Sequence, residues 1–140
     1  SLVRYIIDAS VGFKCVVPEI LTPKALQIRG DFRKGVHDLL SPDLYPIELG
    51  NSLAAAGRSG RFPASDFPTV YTDMMGNLPI IYPSLSLLPR AYEISCQNRV
   101  SVYDAIYVAL AEKEGCDLVT ADDKLIKALP GYPIISLSAL

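Results

Sequence analysis

Acidic side chains recur where this chain changes direction. Asp8 follows Val3-Arg4-Tyr5-Ile6-Ile7, Glu48 comes just behind Pro46, Asp104 lies three residues past Ser101, and Asp122 follows Leu118-Val119-Thr120-Ala121. Each stands at an expected strand end or helix start. In an open α/β sheet such termini gather in one crevice outside the carboxyl ends of the strands. Carboxylates brought together repel one another and are costly to keep ionised unless protons or a cation offset them. Oxygen ligands without His or Cys favour hard ions, chiefly Mg2+ or Mn2+. One or two such ions among Asp8, Glu48, Asp104 and Asp122 would reverse the local potential and draw in a phosphate. They would also activate a water and steady a leaving oxygen. The chemistry suggested is metal-dependent phosphodiester hydrolysis.

Each acid also has a plain structural use. Ser101-x-x-Asp104 is a capping box, Asp122 can cap the last helix, Glu48 suits a helix dipole, and Asp8 can cap locally. Taken singly, a cap is the better explanation of each; the like placement of all of them is what raises the metal-binding reading.

The elements that must position these groups follow from periodicity. Val100 to Leu125 organises the chain: a helix starting near Ser101, with Ala105, Ile106, Ala109 and Leu110 as its apolar stripe, then a strand-like run Cys116 to Thr120. Earlier, Ser10 is placed to cap a helix Ser10 to Val17, with Val11, Phe13 and Cys15 inward and Pro18 as its stop. Thr22-Pro23 opens a second helix, Lys24 to Lys34, so that the pair makes a hairpin over the crevice. A strand at Leu39-Leu40 leads to a helix Pro46 to Arg58, with Pro in the favoured first turn, and to a mobile basic turn Gly57 to Arg61. A helix Ala64 to Met75 should turn Phe67, Val70, Tyr71 and Met74 inward. Leu78 to Tyr82 reads as a strand whose Pro79 marks either an edge or a strand start, and Ser84 to Asn98 as a helix that tolerates Pro89 only in its first turn. A short helix Lys124 to Leu129 and a strand Tyr132 to Ile135 close the chain. Strands alternating with helices predict a three-layer α/β/α sandwich with a mainly parallel sheet, in one domain over residues 1–140.

Composition narrows the classes. The chain has 140 residues, half of them hydrophobic, which suits a folded core and argues against disorder. No apolar run approaches the ~18 residues of a membrane span, and no basic-then-apolar leader precedes the first strand, so a soluble cytoplasmic protein is expected. A formal charge of −2 offers no broad attraction to nucleic acid, so an anionic substrate requires the acidic crevice to be neutralised first. Cys15, Cys96 and Cys116 contain no C-x-x-C pair and read as buried small apolar residues. The single His37 sits beside the second strand, far from any nucleophile signal.

Across nearly the whole chain the sequence resembles the PIN-domain nucleases, most of all the VapC-type ribonuclease toxins of toxin–antitoxin pairs. The pieces that carry the resemblance are Tyr5 to Ser10, Pro42-Asp43-Leu44 with Glu48 and Asn51-Ser52-Leu53, Ser101 to Ala111, and Leu118 to Asp122, in family order. The last two are the most specific. The resemblance implies a PIN-like fold and a divalent-ion-dependent endoribonuclease. Asp8 and Asp104 would be central metal ligands, Glu48 a ligand or an orienter of bound water, and Asp122 a direct or water-mediated ligand. Ser10, Thr120 and Asn51 fall on supporting positions. Asp123 competes with Asp122, which is favoured because it directly follows Thr-Ala. A small antitoxin would lie across the helical hairpin, using apolar positions in Val11 to Ile28 that serve equally well as core, and a homodimer is implied.

Lys14, Arg58, Arg61, Arg99 and Lys124 are candidates for RNA phosphates, although a solvated surface explains them as well. Tyr71, Tyr82, Tyr103 and Tyr107 offer faces for stacked bases, or equally core. Two other readings stay open: a PIN nuclease of RNA maturation, and a non-catalytic PIN-like RNA- or protein-binding module. A phosphoacceptor receiver domain is disfavoured, because it needs an acidic pair after the first strand where this chain has only Asp8.

Overall fold

As a computed structural model describing residues 2–140, the protein alternates strands and helices along its length. The strands are β1 (Val3–Ile7), β2 (His37–Pro42), β3 (Ile80–Tyr82), β4 (Asp117–Thr120) and β5 (Ile134–Ser136). The helices are α1 (Ala9–Val16), α2 (Thr22–Arg33), α3 (Tyr45–Arg58), α4 (Phe67–Gly76), α5 (Leu88–Gln97), α6 (Val102–Glu114) and α7 (Asp123–Ala128). Every strand pairing is parallel and the sheet order is β3-β2-β1-β4-β5. The order reverses between β1 and β4, where Ile7 pairs with Val119. A crevice opens at such a reversal, because the crossovers on its two sides leave to opposite faces of the sheet.

The central strands are buried on both faces, so they read as continuous apolar runs: Ile6, Leu39, Leu40, Leu118 and Val119 are all within 2% of complete burial. Helices α1 to α4 pack on one another, and α5 packs on α6, which lies against β1, β2 and β4. Residues Ala105 to Ala111 of α6 are all buried. A helix apolar on every side belongs in the middle of a core, and this burial fixes the helix that carries Asp104. Ser101 caps it and Gly115 ends it in the left-handed conformation, φ 67°.

Several expectations are corrected. Asp8, not Ser10, is the N-cap of α1. A 3-10 turn at Ala64–Asp66 precedes α4, and Phe67 and Tyr71 face outward, because α4 buries only Met74 fully. Another 3-10 turn, Leu85–Leu87, leaves α5 to begin at Leu88, with Pro89 in its first turn. Cys96 is exposed, and Cys15 and Cys116 are partly so. Of the two hairpin helices α1 borders the crevice, whereas α2 turns Ala25 and Ile28 into the core and packs back on β2. There His37 is spent structurally, one ring nitrogen 2.9 Å from the Ile28 carbonyl and the ring edge-on to Tyr5. Val11, Val17, Ala25 and Ile28 are core, whereas Ile20 and Leu26 in the same stretch are exposed. Among the described residues no helix is long and apolar enough to cross a membrane.

Helix α1 approaches α3 closely because position 12 is glycine. A Cβ there would overlap the Tyr45 hydroxyl and lie 3.0 Å from Leu49 Cδ2. Gly12→Ala gains about 1 kcal/mol of helix preference against an overpacking cost of about 1–3 kcal/mol. We expect a net loss in urea unfolding that shrinks by about 1 kcal/mol or more in a Tyr45→Phe background; an equal cost in both backgrounds would rule out that contact as the cause.

Candidate active site

The site starts from a strand that delivers a carboxylate into the sheet's own interior. Asp8 directly follows β1 and is 9% exposed. Its Oδ1 accepts the backbone N–H of Ser10 at 3.1 Å and the Ser10 hydroxyl, and its Oδ2 accepts the Thr120 hydroxyl from the end of β4. The same hydroxyls accept in turn. Ser10 Oγ takes the Ala121 N–H at 3.0 Å, and Thr120 Oγ1 takes the Asp122 N–H at 3.0 Å. One polar net therefore joins β1, α1 and the turn after β4. From the other side, fully buried Ser41 donates to the Ile7 carbonyl at 2.6 Å and fixes the backbone just before Asp8.

Asp104 enters from the first turn of α6, where the Ser101 hydroxyl caps its N–H at 3.1 Å. Glu48 enters from the first turn of α3, and Tyr107, buried in α6, donates its hydroxyl to Glu48 Oε1 at 2.7 Å. Asp122 caps α7, its Oδ1 accepting from Lys124 N and Leu125 N at 3.0 and 3.3 Å. Asp123 is exposed in the first turn of α7.

The acids feel one another. Burial, opposed by the bonds from Ser10 and Thr120, raises the Asp8 carboxyl from 3.8 to about 6, and Asp104 adds to the rise. Burial also raises Glu48, against the Tyr107 bond and with help from Asp104. Asp104 is raised by burial and then by Asp122. The Asp104 carboxylate thus acts on both Asp8 and Glu48, and Asp122 acts on it. Burial and the Glu48 carboxylate hold Tyr107 far above the ordinary phenol range, so it stays a donor.

Among the described residues no three His, Cys, Asp or Glu side chains stand close enough to enclose an ion by themselves. A small hard cation does not require that. Mg2+ keeps several of its waters and is held by one or two carboxylates. A carboxylate has about four lone-pair sites; Ser10 N, Ser10 Oγ and Thr120 Oγ1 occupy Asp8 from within and leave room for one further partner. The donor set is oxygen only, its charges are held at a cost, and a divalent cation fits it.

The candidate RNA contacts divide. Lys14 and Arg61 line an open groove of about 760 Å³ that reaches Ser10 and Ala121. Arg58 lines a different, apolar recess with Phe62, Phe67, Tyr71 and Met74. Arg99 and Lys124 are exposed outside that groove. Tyr103 is 65% exposed beside Asp104, Tyr71 is exposed on α4, Tyr82 is half-buried in β3, and Tyr107 is core. Asn51 is exposed, and its neighbour Ser52 lines the groove instead. Sequence reasoning missed Ser41 and the bond from Tyr107. The three-residue spacing from Asp104 to Tyr107 on one helix was the available signal for the latter.

The Asp8 shift has a thermodynamic sign. With its folded value at about 6, above the ordinary 3.8, the folded chain holds this proton more tightly than the unfolded chain. The stability it confers is full below about pH 4 and is lost as pH rises through about 6. In chelator, wild type should lose on the order of 3 kcal/mol relative to Asp8→Asn between about pH 4 and 7; parallel urea-unfolding profiles for the two proteins would contradict this.

Known proteins share this fold and part of this sequence. Over 129 residues the chain is 28% identical to Ribonuclease VapC3 of Pyrobaculum aerophilum, covering 91% of this chain and 95% of that one. Its fold is similar to PAE2754 from Pyrobaculum aerophilum, with a TM-score of 0.72 at 22% identity over 99% and 94% of the two chains. It is also similar to a chain of VapBC2 from Rickettsia felis bound to a DNA fragment from their promoter, with a TM-score of 0.67 at 14% identity over 95% and 98%. Residues 5–129 match the PIN domain, a span that takes in Asp8, Glu48, Asp104 and Asp122, and the chain belongs to the PIN-domain family.

Proposed function

We propose that the protein is a divalent-metal-dependent endoribonuclease and the toxin of a toxin–antitoxin pair. The observation that carries this reading is the placement of Asp8, Glu48, Asp104 and Asp122 at the end of β1 and the starts of α3, α6 and α7, with Asp104 raising the carboxyls of Asp8 and Glu48. Membership of the PIN-domain family and the likeness to Ribonuclease VapC3 support it. The reaction is hydrolysis of an RNA phosphodiester: a water gives up a proton as its oxygen bonds to phosphorus, the bond to the leaving ribose oxygen breaks, and that oxygen takes up a proton.

Asp8 and Asp104 would hold the ion, with Mg2+ or Mn2+ as the expected species, and Glu48 and Asp122 would serve as further ligands or as acceptors for its waters. When bound, the ion neutralises the acidic crevice and lowers the pKa of a coordinated water. The protein supplies placement. Ser10 and Thr120 hold Asp8 ionised and oriented, and Asp123 lies outside this set. The Tyr107 hydroxyl occupies Glu48 Oε1, which leaves Oε2 to accept a hydrogen bond from the attacking water. Tyr103, exposed beside Asp104, offers a face on which a base can stack. The chain works as a single PIN-like domain, in the cytoplasm, as a homodimer restrained by a small antitoxin protein.

RNA should be degraded by the purified protein with Mn2+ or Mg2+ and spared in chelator. Asp104→Asn should lower the rate about 100-fold or more, equivalent to ~2.7 kcal/mol. Undiminished cleavage by Asp104→Asn would exclude this site as the source. Growth arrest on expression, relieved by a neighbouring small gene product, separates a toxin from an RNA-maturation nuclease, which would cleave without arresting growth. Binding of RNA without any ion-dependent cleavage would leave only a binding module.

A further inference from the structure

The groove between α1 and α3 holds a charge arrangement that the hydrolytic site does not use. It runs from Ser10 and Ala121 along Phe13, Lys14, Ser52, Ala55 and Ser59 to Arg61. On α3, Glu48, Ser52, Ala55 and Ser59 follow helical spacing, so the groove continues the face that carries Glu48. Its cations are Lys14 and Arg61, and Glu19 is the one acid among the described residues that lines it. Glu19 spends both oxygens on them: Oε1 lies 3.3 Å from Lys14 Nζ and Oε2 lies 3.4 Å from an Arg61 guanidinium nitrogen.

The loop that presents Glu19 is built for the purpose. Its backbone N–H donates to Thr22 Oγ1 at 2.8 Å, and the Thr22 hydroxyl donates to the Lys14 carbonyl at 2.8 Å. Leu21 completes the return in the left-handed region, φ 73°, a conformation a branched residue adopts only when its surroundings impose it. The latch itself is loose. Charge-assisted bonds close to about 2.7–2.9 Å when tight, and both contacts of Glu19 are longer and single. A phosphate offers more charge and can engage the arginine in bidentate fashion.

We infer that this groove leads the RNA strand past the carboxylates, with Lys14 and Arg61 as its phosphate clamp and Glu19 as a built-in competitor that the phosphate must displace. The inference rests on the ribonuclease reading above and adds to it the path of the substrate and a brake on its affinity. With Glu19 in place the groove offers one net positive charge to RNA; with Glu19 displaced it offers both cations.

The test is fluorescence anisotropy of a labelled single-stranded RNA oligonucleotide, in chelator, over a series of salt concentrations. Glu19→Gln should tighten binding roughly threefold to tenfold at low salt, as expected for release from two partly exposed ion pairs. Lys14→Gln and Arg61→Gln should each weaken it by a similar factor and reduce the slope of log affinity against log salt by about 0.7. In a protein already carrying Lys14→Gln and Arg61→Gln, Glu19→Gln should change nothing. Tightening that persists without the two cations would reduce Glu19 to a general charge effect and overturn the latch. RNA affinity unchanged in all the variants would overturn it too, leaving the groove to another ligand such as an acidic polypeptide. Cleavage with Mn2+ is followed in parallel: cleavage with no variant effect on binding sinks the latch alone, and variant effects on binding without any cleavage sink the ribonuclease reading alone.

Discussion

Burial of the Asp8 carboxyl at the reversal of strand order is the constraint on which the rest of the site depends. A buried charge is tolerated only where hydrogen bonds replace the water it has lost. Here the replacements are Ser10 and Thr120, contributed by residues 110 positions apart. Because those hydroxyls also accept the N–H groups of Ala121 and Asp122, solvating Asp8 and shaping the turn that presents Asp122 are one operation. Even so, burial wins, and Asp8 is left with a raised pKa. A divalent cation would relieve that cost, and the same cost would draw the cation in.

The surrounding elements carry three further carboxylates, Glu48, Asp104 and Asp122, none of which is tied in a salt bridge among the described residues. Helix α6 is held on all sides by apolar contacts, so Asp104 is positioned by packing rather than by a charged partner. Glu48 is restrained by the neutral hydroxyl of Tyr107, which orients the carboxylate while leaving its charge uncompensated. The basic side chains pair elsewhere: Arg4 with Glu114, Arg29 with Asp73, Arg90 with Glu93 and Glu112. Lys14 and Arg61, the cations that line the adjoining groove, are tied by Glu19.

Much of this was legible in the sequence because it is local. An acid directly after an apolar strand, or three residues past a capping serine, declares its position through the element it terminates, and Asp8, Glu48, Asp104 and Asp122 were placed in this way. All five strands were found, with ends displaced by a few residues. What periodicity cannot supply is which apolar face meets which neighbour. Val11, Val17, Ala25 and Ile28 repeat as a groove would, yet they are core. Phe67 and Tyr71 repeat as a core would, yet they are exposed. Arg58 and Arg61 sit three residues apart, but the end of α3 sends them to different recesses. The bonds from Tyr107 to Glu48 and from Arg61 to Glu19 join residues 59 and 42 positions apart, and no local pattern names the partner that each donor finds.

The central claim is that the raised Asp8 carboxyl and its acidic neighbours form one cation site. The most direct measurement is Mn2+ titration by calorimetry near pH 6, in buffers of different ionisation enthalpy. Binding should release a fraction of a proton, as expected when a cation enters beside a carboxyl with a pKa of about 6. Asp8→Asn and Asp104→Asn should abolish the binding, and Glu48→Gln should weaken it. Mn2+ binding that is unchanged in Asp8→Asn and Asp104→Asn, with no release of protons, would contradict the account.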